Sequence, residues 1–63
     1  MTKKKYEYFQ DGDMWIGHWL EFPDYMTQGE TLEELQENLR DIYKDLTGGT
    51  IPHVRRVAQL AVA

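Results

Sequence analysis

The side chains able to do chemistry are few and scattered. Nucleophilic catalysis by serine or cysteine needs that residue beside a base and an oxyanion hole, and the 63-residue chain has neither serine nor cysteine. The two histidines, His18 and His53, lie too far apart in sequence for the usual metal-ligand spacing. His18 stands between apolar neighbours, where a packed or interface histidine is a plainer reading than a general base. His53 follows Pro52 and reads as a loop residue. Asp11 and Asp13 flank Gly12 as half of a divalent-cation loop would, but an EF-hand loop needs several more ligands and a closing glutamate. A solvated hairpin turn is the ordinary alternative. Arg55 and Arg56 are too small a basic cluster for a nucleic-acid site. What remains is the chemistry of binding. Trp15 and Trp19 share one face of a predicted strand, and tryptophan is enriched at interface hot spots. Glu33, Glu37 and Asp41 share one face of a predicted helix; such a face is most often simply solvated, and it can also steer a basic partner.

The elements that position these residues follow from periodicity. "KKKYEYFQ", residues 3–10, alternates with Tyr6 and Tyr8 on one face and Glu7 and Phe9 on the other, as a strand does. "DGD" supplies hairpin-turn chemistry. "MWIGHWLEF", Met14 to Phe22, places Trp15, Gly17, Trp19 and Glu21 on one side and Ile16, His18, Leu20 and Phe22 on the other. With large apolar groups on both sides, it reads as a central strand. Pro23 ends it, and "YMTQ", residues 25–28, is a short third strand. Thr31 then opens a T-x-x-E capping box: its hydroxyl accepts from the Glu34 N–H, and Glu34 reaches back to the Thr31 N–H. Leu32, Leu35, Leu39, Ile42, Tyr43 and Leu46 recur at three- and four-residue spacing and predict an amphipathic helix. Gly48-Gly49 stops it, with Pro52 behind. "VRRVAQLAVA", Val54 to Ala63, alternates as a last strand, with a short helix as the alternative. The expected architecture is α+β in the order β-β-β-α-β: a mixed, mainly antiparallel sheet with one helix packed on one face. The other face is left with exposed aromatic surface of the kind that marks an interface.

Length and charge narrow the function. A chain this short is at most one domain, spanning residues 1–63, and it buries only about 60% of its unfolded surface. Without cysteine, self-association or docking onto a partner is the remaining route to added stability. The net charge of −4 argues against general nucleic-acid binding and suits a basic protein partner. No apolar run is long enough for a membrane span or a secretory signal, so the expected location is cytoplasmic. No cofactor is expected.

The stretch "WIGHWLEFPDYMTQGETLEELQENLRDIY" resembles the core of the HicB-like antitoxin family. The matching positions are Phe22, Pro23, Asp24, Gln28, Gly29, Glu30, Thr31, Glu33, Glu34 and Leu35: a strand ending in proline and an acid, a short stretch, then Gly-Glu-Thr and a Leu-Glu-Glu helix. The resemblance extends over nearly all of the chain. It implies a truncated ribonuclease-H-like fold and a place in a type II toxin–antitoxin pair. The implied partner is HicA, a small basic ribonuclease with a histidine active site, which the antitoxin blocks. Two departures stand out. "PDYMTQ" replaces the more usual glycine-containing loop, and no C-terminal DNA-binding domain is expected, so direct DNA binding is not carried over from the resemblance.

A ribonuclease-H-like fold also raises the possibility of a metal-dependent nuclease, which needs carboxylates on the first strand, the helix and the fourth strand. Glu7, Glu33 and Glu37 could supply the first two, but the predicted last strand contains no acid, so no enzymatic activity is expected. The leading expectation is a non-enzymatic antitoxin module, dimeric or tetrameric, binding through Trp15, Trp19, Glu33, Glu37 and Asp41, with Thr31 and Glu34 as structural cap residues. The alternative is a stand-alone HicB-like oligomer that binds another protein or a small ligand.

Overall fold

The computed structural model describes residues 2–49 and 51–63. Strands β1 (Tyr6–Asp11), β2 (Met14–Trp19) and β3 (Thr27–Gly29) precede one helix, α1 (Leu32–Thr47). The strands lie in the order β1-β2-β3 and both pairings are antiparallel. Asp11 pairs with Met14, so Gly12 and Asp13 form a two-residue hairpin loop. Gly12 takes a φ of 61°, which the tight turn needs and glycine accepts without strain.

Register assigns the two faces of the sheet. The pairs Tyr6–Trp19, Tyr8–Gly17 and Gln10–Trp15 share one face, and the pairs Glu7–His18, Phe9–Ile16 and Asp11–Met14 share the other. The helix covers the first face. A Cβ on Gly17 would stand 2.9 Å from the Glu7 carbonyl oxygen on β1 and 3.3 Å from Leu35 Cδ2 on the helix, so the missing side chain leaves room for both neighbours. The four buried apolar side chains, Phe22, Leu35, Leu39 and Leu46, all belong to this layer. They sit beside a contiguous run of rings: Trp15, Tyr8, Tyr6, Trp19, Tyr43, Phe22 and Tyr25, each 5.2–6.5 Å from the next between centroids. Such tilted and edge-on contacts add about 0.5–1.5 kcal/mol per pair beyond area burial, which matters in so thin a core.

The central strand ends sooner than its alternation predicts. It stops at Trp19, and the Phe22 N–H closes a turn onto the Trp19 carbonyl at 2.9 Å. The turn breaks the period of two. Phe22 therefore swings away from the Ile16 face and is buried against Tyr43 on the helix side, leaving Leu20 exposed. The third strand is likewise displaced, covering Thr27–Gly29 rather than residues 25–28.

The join from β3 to α1 is built on Gly29 and Thr31. Thr31 is extended and its hydroxyl accepts from the Glu34 N–H at 3.0 Å, as the capping box requires. The return bond differs from expectation: Glu34 Oε1 accepts from the Glu30 N–H at 3.2 Å, one residue before the cap. The tightness of the join accounts for this. A Cβ on Gly29 would stand 2.5 Å from the Leu35 nitrogen, so strand backbone lies directly against helix backbone and presents Glu30 to the first turn. At the other end the Gly48 N–H donates to the Lys44 carbonyl at 2.8 Å, and Gly49 follows with a φ of 79°.

The predicted fourth strand does not form. Residues 54–63 have no regular structure and, apart from Val54, are exposed, so the sheet is wholly antiparallel rather than mixed. Leaving the helix, the chain turns at Gly49 and again at His53, whose φ is 56°. Arg55 then donates to Asp24 at 2.9 Å, which directs the segment towards the β2–β3 connection. Alternation in "VRRVAQLAVA" selects a face only where a ladder and a covering layer exist, and its alanines bring little apolar area to bury.

Candidate interaction surfaces

Each candidate side chain has a definite place in this frame. Trp19 is the most constrained. Its indole N–H donates to the Leu39 carbonyl at 2.7 Å, and its ring packs edge-on against Tyr43 at 5.2 Å. The bond crosses from the central strand to the middle of the helix, so Trp19 is part of the mortar between the layers. Trp15 shares that face but lies nearer the hairpin, half-buried, with Tyr8 at 5.9 Å. The two tryptophans are joined through Tyr8 and Tyr6 rather than forming a free patch together.

The uncovered face carries different residues. Phe9 is 49% exposed beside its cross-strand partner Ile16, with Met14 towards the hairpin and His18 paired across from Glu7. Phe9 is the only aromatic outside the run of rings, so this open face is not aromatic as expected: Phe9, Met14 and Ile16 share it with the polar Glu7, Asp11, His18 and Gln28.

The helix surface turned to solvent holds Glu33, Glu37 and Asp41, all exposed. Asp45, also exposed, extends the file by one more four-residue step. The same spacing was open to view in the sequence, where attention to the apolar stripe passes it over. Residues four apart on a helix are neighbours, and like charges at that spacing disfavour the helix by about 0.2–0.5 kcal/mol per pair. Among the described residues the ion pairs are Lys4–Glu21 at 3.2 Å and Arg55–Asp24 at 2.9 Å, and neither engages the file.

Two further polar contacts tie the helix to the sheet. Asn38 donates to the Gln28 carbonyl at 2.6 Å, tying the helix to the short edge strand. Gln36 donates to the Tyr6 hydroxyl at 3.0 Å, tying it to the far strand. Sequence periodicity puts Gln36 on the polar face with Glu33 and Glu37, whereas the structure turns it to the sheet, half-buried; it assigns Asn38 to neither face.

The carboxylates weighed for nuclease chemistry do not converge. Register puts Glu7 on the uncovered face, while Glu33 and Glu37 lie on the outer surface of α1, with the sheet between. Asp11 and Asp13 are exposed at the hairpin and His53 at a turn. Among the described residues no group of three histidine or carboxylate side chains is placed to hold a metal ion. No helix among them is long and apolar enough to cross a membrane. Compared with known proteins, the chain matches no family model, no curated protein and no solved structure.

Proposed function

We propose that the protein is a non-enzymatic binding module of the antitoxin type, similar to the HicB-like family. Its target is a small basic ribonuclease of the HicA kind, which it holds with the active site occluded. The observation that carries this reading is the acidic file on α1. Glu33, Glu37 and Asp41 stand exposed at four-residue intervals with no cationic side chain of the described residues paired to them. Their mutual repulsion weakens the helix, and a basic partner would relieve it. The resemblance carried by "FPD" and "GETLEEL" supports the choice of partner, and the β-β-β-α order is compatible with it.

Co-purification with a small basic protein of the HicA type tests the proposal. The wild-type chain is expected to retain that protein on a column, and a Glu33→Gln, Glu37→Gln, Asp41→Asn variant to lose about tenfold or more in affinity at low salt. Failure of the wild type to bind it, together with failure to relieve its toxicity, overturns the antitoxin reading.

The open sheet face favours a second reading, a self-associating HicB-like protein that binds some other protein or a small ligand. Phe9, Met14 and Ile16 form an apolar surface that a second copy would cover. Light scattering decides: a dimer or tetramer supports it, and a 7.5 kDa particle at micromolar concentration contradicts it.

A further inference from the structure

The chain is acidic overall, yet its cations gather in one place. Two adjoining clefts of about 290 and 330 Å³ lie between the N-terminal arm and α1, and both are bounded by Lys4, Trp19 and Arg40. Lys3 extends the basic rim on one side and Lys44 on the other. These four are a majority of the seven lysines and arginines in a chain of net charge −4, and no carboxylate lines either cleft. The floor is apolar: Tyr6, Trp19 and Leu39 in one cleft, Tyr43 in the other. Lys4 is held in position by Glu21 at 3.2 Å. The Glu21 carboxylate beside it raises the pKa of Lys4 above its ordinary value. Among the described residues Lys3, Arg40 and Lys44 have no ion-pair partner.

We propose that this cleft binds an extended acidic peptide segment of a partner protein, its carboxylates on the Lys3–Lys4–Arg40–Lys44 rim and an apolar side chain over Trp19 and Tyr43. Charge complementarity selects an anionic occupant. The volumes, near the lower limit of small-molecule sites at about 300–1,000 Å³, suit a peptide anchor better than a large cofactor. Single-stranded nucleic acid fits less well. Stacking needs an open ring face, whereas Trp19 meets Tyr6 and Tyr43 edge-on, at 73° and 64°, within the packed run of rings. This site is independent of the antitoxin reading, since it uses the opposite charge and different residues.

Fluorescence anisotropy with a labelled Asp/Glu peptide carrying one central leucine tests it, against the Asn/Gln counterpart and an oligouridylate of equal charge. The acidic peptide is expected to bind, and to weaken about tenfold or more in Arg40→Glu/Lys44→Glu and as salt rises past the level where the Debye length is about 10 Å. Asp13→Asn, at the exposed hairpin turn, should leave its affinity within about twofold. Should the double variant lose its cooperative melt, Lys3→Glu on the irregular arm decides, with a loss in the same direction. The proposal is overturned if the amide peptide binds as well, if the oligouridylate binds more tightly, or if the rim substitutions change nothing. Occupation of the cleft by a second copy, seen as self-association that excludes the peptide, overturns it too.

Discussion

Gly29 sets how closely the third strand approaches the helix, and its hydrogen is the only substituent that fits. Gly29→Ala would drive a methyl group to 2.5 Å from the Leu35 nitrogen, with backbone on both sides unable to step aside. The expected loss is about 1–3 kcal/mol or more, read from denaturant melts. Thr31→Ala removes the acceptor of the Glu34 N–H and should cost about 1 kcal/mol, or about 4–8 °C in Tm for a domain this small. Glu34→Gln keeps an oxygen for the Glu30 N–H and should cost less than Thr31→Ala; an equal or larger loss would show that the return bond carries more of the cap than the hydroxyl. At Trp19, Phe keeps a ring but leaves the Leu39 carbonyl without the indole donor. A loss of about 1–3 kcal/mol is expected there, against a smaller one for Trp15→Phe, whose only resolved ring contact is Tyr8. The cap was legible in the sequence because Thr-x-x-Glu is a local code. The closeness that moved its return bond to Glu30, and the bond from Trp19 to the helix, were not, because both depend on how two elements meet.

At the scale of elements, the helix carries two messages written at different spacings. Its apolar stripe is read from the sequence with confidence in position: Leu35, Leu39 and Leu46 are the buried residues of α1. Its acidic file follows the same rule on the opposite surface and makes a prediction with two signs. Glu37→Gln removes like-charge neighbours at Glu33 and Asp41 and one opposite-charge neighbour, Arg40, so stability should rise by a net of about 0.2–0.5 kcal/mol, while affinity for a basic partner falls. A loss of both would mean that Glu37 serves the fold instead. Residues 54–63 show where alternation misleads. The period of two was present, but a strand also needs an edge to pair with and a layer to cover it, and those lie outside the segment's own sequence. Leu60 and Val62 are 89% and 86% exposed, so Leu60→Ser and Val62→Ser should each shift stability by less than about 0.5 kcal/mol. A drop of about 2 kcal/mol would show that the segment packs after all. Phe22 teaches the same lesson at the other end of a strand: one turn after Trp19 reassigned its face.

The whole molecule divides into a covered side and an open one, and its charge divides as well. The aromatic run fills the space between sheet and helix, and this leaves Phe9, Met14 and Ile16 on the open face beside the polar Glu7, Asp11 and His18. The acidic file and the two helix cations of the basic cleft run side by side along α1, with Arg40 three residues from Glu37 and Lys44 three from Asp41. The β-β-β-α order was legible because each element carries its own period and stop signal; the surfaces were less so, because a face becomes a surface only once packing decides what is left uncovered. The proposed function rests on one of those surfaces meeting a basic ribonuclease. Its most direct test is cleavage of RNA by a small basic ribonuclease of the HicA type, followed as this chain is added. Inhibition that is complete near equimolar amounts, and that shifts to higher concentration in the Glu33→Gln, Glu37→Gln, Asp41→Asn variant, is the predicted result. Cleavage that continues unchanged in the presence of excess chain would contradict it.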